Sequence, residues 1–269
     1  MSTAIESRPV VLVTGSAQRI GREIAIDLAA HGWRVAVHYR RSGAAAAQTV
    51  QAVQAAGSDA IAFAADLAVE SECESLVPAV RLAFGRIDAV VNNASLFEYD
   101  GVDDFGYAAM ERHWRANTAP AIVLARALHA SLGTPGGPAD RGVVVNLLDQ
   151  KLWNPNPDYF SYTLSKAALE AAGTLLAQAL APRVRVCGVA PGVTLLSGEM
   201  SADEFQASHR MTPLQRSSTP QDVARAVRFL LESPAITGTT LLVDGGQHLQ
   251  PQARDVMFLA RQSPEPETP

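Results

Sequence analysis

A sevenfold alternation constrains this chain more than any other feature. Short apolar runs recur from Val10 to Val243, with helical patterns between them. The runs are "VVLVT" (10–14), "RVAVHY" (34–39), "AIAFAA" (60–65), "DAVVNN" (88–93), "GVVVNLL" (142–148), "RVCGVA" (185–190) and "TLLVD" (240–244). They are unbroken rather than alternating apolar and polar, the pattern of strands buried on both faces. Helices are predicted over residues 19–31 and about 43–56, 71–84, 108–131, 159–180 and 219–232. In the first, Ile20, Ile24 and Leu28 share one face and Gly32 stands as the stop. In the last, Thr219 is placed to cap and Pro220 to open the first turn. Strands alternating with helices predict an α/β fold with one doubly wound, seven-stranded parallel sheet flanked by helices. At 269 residues and 48% apolar content the chain suffices for one sizeable domain, and no linker or repeat divides it.

Several function classes are expected to be absent. The net charge is −5 and the Lys and Arg residues are dispersed, which argues against a nucleic-acid footprint. The opening "MSTAIESRP" is polar, and no run approaches the ~20 residues of a membrane span. A soluble, cytoplasmic protein is expected. Cys73 and Cys187 lie far apart without His or Cys neighbours at ligand spacing, and His31, His38, His113, His129, His209 and His248 are scattered. Reduced, structurally neutral thiols and no metal site are the expectation. The segment 194–218 lacks strand character and should overhang the carboxyl ends of the strands, as a substrate lid or an ordinary long connection. The tail "RQSPEPETP" (261–269) has a disordered composition.

Chemistry concentrates at the strand ends. After the first run comes "TGSAQRIG", Thr14 to Gly21. Gly15 suits a tight strand-to-helix turn and Gly21 a close helix start, where backbone N–H groups can hold a pyrophosphate. The spacing is not G-x-G-x-x-G, so this turn alone is a weak signal. The second run ends "HYRRS" (His38, Tyr39, Arg40, Arg41, Ser42) with no acid. A carboxylate there would take a ribose hydroxyl; arginines accommodate a 2′-phosphate, which points to NADPH unless the turn is merely solvated. Tyr162 and Lys166 are four residues apart on one predicted helical face. A nearby ammonium favours the phenolate and should bring the phenol closer to a working acid or base. Asp149 stands thirteen positions ahead of Tyr162, where the fifth run gives out. It either caps the loop "DQKLWNPNPD" or sits beside the tyrosine.

These pieces, with "ADL" (65–67), "NNA" (92–94), Asn117, "YTLSK" (162–166), "PG" (191–192) and "DGG" (244–246), resemble the short-chain dehydrogenase/reductase family over about residues 9–249. The resemblance implies a single Rossmann-type domain and a nicotinamide cofactor. It assigns Gly15, Arg19, Ile20, Asp66, Leu67, Asn93, Ala94, Pro191 and Gly192 to that cofactor, with Asp66 beside the adenine. Lys166 would hold the nicotinamide ribose, and Asn117 would support a water-linked proton path. A homotetramer is expected by the same resemblance. The small residues of 165–181 could pack helix on helix or lie on the protein's own sheet.

Three departures narrow the reading. In most of the family a serine that donates to a carbonyl stands at 149; an ionised aspartate only accepts and suits a ring presenting N–H groups, while burial that raised its pKa would let it supply a proton. Arg19 replaces the middle glycine, and Phe97, after Ser95, offers a ring to stack above the nicotinamide. With Asp149, Tyr162 and Lys166 these look like the pteridine reductases and dihydromonapterin reductases, in which an Asp–Tyr pair assists protonation. Arg19, Ser95, Phe97, Asp149 and Tyr162 are therefore the expected substrate contacts, and Trp153 a possible border. The expected activity is NADPH-dependent reduction of a dihydropterin. Two alternatives stay open: reduction of a carbonyl such as a 3-oxoacyl thioester, and non-catalytic NADP(H) sensing.

Overall fold

The computed structural model describes residues 8–134, 136–137, 140–196 and 200–262, the last two as backbone only. In chain order the elements are β1 (Val10–Val13), α1 (Arg19–Ala30), β2 (Arg34–Tyr39), α2 (Gly43–Ala55), β3 (Ala60–Ala64), α3 (Glu70–Phe84) and β4 (Ala89–Asn92). Then come α4 (Tyr107–His113), α5 (Ala119–Ser131), β5 (Gly142–Leu147), α6 (Phe160–Leu180), β6 (Val184–Pro191), α7 (Ala202–Arg210), α8 (Pro220–Glu232), β7 (Thr240–Val243) and α9 (Val256–Gln262). The strands form one parallel sheet in the order β3-β2-β1-β4-β5-β6-β7. The winding reverses between β1 and β4, where open α/β sheets leave a crevice at the carboxyl ends.

Central strands are apolar at every position because both faces are covered. Val11 and Val13 pack with Ile24 and Leu28 of α1 and Val227 of α8. Val10 and Leu12, pointing the other way, meet Val77 and Val80 of α3 and Leu124 of α5. Each such side chain, sealed from water, contributes roughly 1.5–3 kcal/mol before entropy is charged against it. The edges differ from expectation. Ile61 of β3 is 41% exposed, and β7 is half-buried throughout, since an edge strand lacks a neighbour.

Other boundaries shift for local reasons. The predicted helix 108–131 is interrupted by a π turn at Trp114–Thr118. Pro120, in the first turn of α5, has no N–H to continue the ladder, so the backbone widens there. The lid segment contains α7, started by a capping box between Ser201 and Glu204. Thr219 caps α8 as expected, in a second box with Asp222. The expected tail begins too early: residues 261–262 end α9, and 263–269 lie outside the described residues. Among the described residues no helix is long and apolar enough to cross a membrane, and no three His, Cys, Asp or Glu side chains are grouped to hold a metal. Cys73 and Cys187 are both buried and free.

Candidate active site

The strand ends border one cavity of about 760 Å³. The turn after β1 enters it with Gly15 at φ 63°, and a Cβ there would stand 3.0 Å from Ala94 Cα. Gly21 is tighter still, since a Cβ would come within 2.5 Å of the Gly15 carbonyl oxygen. Beneath the turn lies His38, 2% exposed. Its Nδ1 accepts from Gly15 N–H at 3.0 Å, so Nε2 carries the proton and donates to Ala65 O at 3.0 Å. Burial holds the imidazole pKa down, which keeps this tautomer neutral. Asn93 Nδ2 donates to Thr14 O at 2.9 Å, while Thr14 Oγ1 accepts from the N–H groups of Asn93 and Ala94. His38 and Asn93, expected as cofactor contacts, thus brace the turn from the cavity wall.

The start of α1 faces the same space. No side chain caps it and no acid stands in its first turn, so its positive end is available to an anion. Ile20 lines the wall, and Arg19 sits in the left-handed region at φ 56°. Arg19 Nη2 donates to Leu196 O at 3.0 Å, crossing from the turn to the lid segment. Tyr39, Arg40, Arg41 and Ser42 form the rim at the end of β2, the last three exposed. Asp66 lines the neighbouring stretch, its Oδ1 accepting from Ala68 N–H at 3.0 Å, with Leu67 buried beside it. Pro191 and Gly192 close the far side, where a Cβ on Gly192 would meet Ser217 Oγ at 2.5 Å.

At the other end the carboxylate of Asp149 serves both expected roles. Oδ1 caps the short turn Gln150–Leu152 by accepting from Lys151 N–H at 2.9 Å. Oδ2 accepts from Tyr162 Oη at 2.9 Å. Burial raises the Asp149 pKa against the pull of these hydrogen bonds. Tyr162 behaves contrary to the sequence expectation. Burial, and then the facing Asp149, push its pKa well above the ordinary phenol value. Lys166 does not offset this, although burial lowers its own pKa only to about 8 and leaves it largely charged at neutral pH. Its ammonium donates to Leu147 O at 2.7 Å and lies 5.7 Å from the Tyr162 ring centre. Tyr162 therefore holds its proton firmly at neutral pH.

Asn117 is the predicted site residue that misses the cavity wall. It lies behind it, 4% exposed, in the π turn. Its Oδ1 accepts from Leu96 N–H at 2.7 Å and Ser95 Oγ at 3.2 Å, and its Nδ2 donates to Leu96 O and Ser165 Oγ. The side-chain amide clamps the Ser95–Phe97 loop. Phe97, 43% exposed, stacks on Tyr159 at 4.2 Å between ring centres and meets Tyr162 edge-on at 4.7 Å. One face of the ring is thus already covered. Trp153 does not reach the cavity lining.

Sequence reasoning missed further parts of this wall, among them Lys151 beside Asp149, Met200 from the lid, and Asp255, Val256 and Met257 from the segment after β7. A lysine two positions past a strand-end aspartate was a signal within reach. The segment around Asp255 carried none, since its partners lie about a hundred residues upstream.

A family model described as enoyl-(acyl carrier protein) reductase matches residues 15–248. The structure of FolM alternative dihydrofolate reductase 1 from Brucella suis, in complex with NADP, is similar at a TM-score of 0.85 and 40% identity, over 92% of this chain and 98% of that one. Pteridine reductase 1 of Leishmania tarentolae is 32% identical over 92% of this chain and 99% of its own length. A 3-oxoacyl-(acyl-carrier-protein) reductase of Synechocystis sp. is also 32% identical, over 88% of this chain and 96% of its own.

Proposed function

We propose, because the chain belongs to the short-chain dehydrogenase/reductase family and is an NADP-dependent oxidoreductase of its pteridine reductase-like group, that it reduces the ring C=N of a dihydropterin. The observation that carries this reading is the Tyr162–Asp149 hydrogen bond in the cavity wall. An ionised carboxylate at 149 repels an electron-rich carbonyl oxygen and accepts from ring N–H groups.

The residues present fit NADPH. The uncapped start of α1, with Gly15 and Ile20, suits the pyrophosphate. The exposed Arg40, Arg41 and Ser42, with no acid among them, suit a 2′-phosphate. Asp66 and Leu67 would border the adenine, and Asn93, Ala94, Pro191 and Gly192 the channel to the nicotinamide. When bound, NADPH supplies the hydride.

The chain's own residues then manage the ring and the proton. Ser95, Phe97 and Arg19 hold the pterin, and Phe97 does so by turning its free face or releasing Tyr159. Tyr162, which keeps its proton at neutral pH, hands it to the ring nitrogen beside the reduced carbon. Asp149 orients the phenol and, with its raised proton affinity, supports reprotonation. Lys166, fixed on Leu147 O, keeps a positive charge behind the phenolate that remains. A single domain, a cytoplasmic setting and a homotetramer complete the proposal; Leu175 of α6, 65% exposed, supports a further helix-packing face.

Reduction of a 3-oxoacyl thioester is the second reading, favoured by the cyanobacterial relative. NADPH oxidation by purified protein with dihydrobiopterin, dihydromonapterin, dihydrofolate and an acetoacetyl thioester decides between them. Turnover of at least one pterin and not the thioester is expected; turnover of the thioester alone would overturn the assignment.

A further inference from the structure

The matched family region ends at residue 248, yet Asp255, Val256 and Met257 line the same cavity as Asp149 and Tyr162. What fixes them there is a chain of buried and part-buried polar contacts. Lys151, with a side chain 4% exposed, points its ammonium at Asp158 O (2.6 Å) and Asp255 Oδ2 (3.2 Å), the latter carboxylate 20% exposed. Asp158 grips the same segment, accepting from the Asp255 backbone N–H at 2.7 Å and from the Arg254 side chain at Nε, 2.8 Å. Met257 and Tyr159 seal the inner side, in one apolar cluster with Tyr162 and with Met200 of the lid.

The same lysine is tied to the reaction site, because its backbone N–H is the donor that holds Asp149 Oδ1 while Oδ2 receives Tyr162. We propose that Lys151 and Asp255 form a positioning pair, which docks the segment after β7 onto the reaction site and sets the charge that the Asp149–Tyr162 couple experiences. Neither residue needs to touch the substrate for this.

The charged and titratable groups around Asp149 are few. Tyr162 and Lys166 face it from α6, Lys151 from its own loop and Asp255 from the segment after β7. His113 of α4 lies on the far side of the Tyr162 ring, at 6.5 Å between ring centres. Among these, the Lys151 ammonium favours ionised Asp149 and the Asp255 carboxylate opposes it. The two partners therefore push one titration in opposite directions, which a wall holding only shape would not do.

The proposal deepens the dihydropterin reading but is tested without any substrate. The carboxyl carbon of Asp149, labelled with carbon-13 and assigned through Asp149→Asn, is titrated by NMR in the NADPH-bound enzyme. Lys151→Met should move the midpoint up by roughly one pH unit, Asp255→Asn should move it down, and the double variant should fall back near wild type. Lys151→Arg should leave it in place. A wall that merely came loose would admit water and lower the midpoint in both single variants, and that result, or no movement in either, would overturn the proposal. Should Lys151→Met fail to fold, Lys151→Gln, which keeps a donor for Asp158 O but not the charge, takes its place, with the same upward movement expected and a downward one overturning the proposal. In kinetics, Asp255→Asn should lose about tenfold in kcat/KM, mainly in kcat, with NADPH affinity unchanged. That assay reports on whichever substrate the wild type reduces, so failure of the pterin reading shows separately, as wild-type enzyme inactive with every pterin.

Discussion

The turn after β1 and the wall facing Tyr162 share one cavity but are assembled differently. At the turn, His38 lies near the end of β2, and Gly15, Ala65 and Asn93 stand just past β1, β3 and β4, so the sheet's parallel register delivers them to one another. At the wall, Lys151, Asp158, Arg254 and Asp255 come from loops that no register aligns, and only side-chain contacts join them. The braces of the turn come with the sheet, whereas those of the wall are set by loops, which can change while the fold stays as it is.

If the two ends are separable in this way, changes at one should spare the other. The largest effect is expected from Asp149→Ser, which removes the carboxylate from Tyr162 but keeps an oxygen able to cap Lys151 N–H. Dihydropterin turnover should fall about 100-fold, with NADPH binding by fluorescence titration unchanged. A parallel loss of NADPH affinity would show that the ends are one unit. The reverse experiment replaces Arg40 and Arg41 together by alanine. The Kd for NADPH should rise roughly 30-fold, from charge-assisted hydrogen bonds worth ~2 kcal/mol, while NADH binding by calorimetry changes little. Equal losses for both dinucleotides would remove the 2′-phosphate assignment. The smallest effect sharpens the boundary itself. Lys166, with a pKa lowered to about 8, loses its charge as pH rises through that value. At saturating NADPH, kcat should drop about twofold by pH 8 relative to its plateau, since half the ammonium is gone at the pKa. Lys166→Arg should flatten that limb, and a limb unmoved by the arginine would assign the ionisation elsewhere.

What was legible in the chain follows the same division. Val10 to Val13 and Val143 to Val145 are fully or nearly fully buried on both faces, so unbroken apolar runs named them as strands. Thr219 and Pro220 announced α8 through residues that act within one turn. "SADE", Ser201 as cap and the first three residues of α7, carried the same kind of capping signal, but the segment has too few apolar residues for periodicity to mark it. Pairing of Asp149 with Tyr162 was readable from their places at a strand end and a helix start. Its electrostatic consequence was not, because a lysine four residues along suggests an acidified phenol only while burial is left out. Here burial outweighs the ammonium at Tyr162 and weakens the ammonium itself. Asn117 lay in the right helix by pattern, but the π turn that aims its amide at Leu96 depends on Pro120, whose effect on a neighbouring turn no periodicity records.

Arg19 shows where durability and usefulness part company. A left-handed backbone costs a residue with a Cβ roughly 1 kcal/mol, so Arg19→Gly would relax the turn, although glycine's freer unfolded chain takes back part of the gain. A screen that rewarded survival of heat alone would tend to choose that glycine. It would thereby cut the strut from the turn to Leu196, and an apparent improvement of the scaffold would be bought with the grip between the two halves of the cavity.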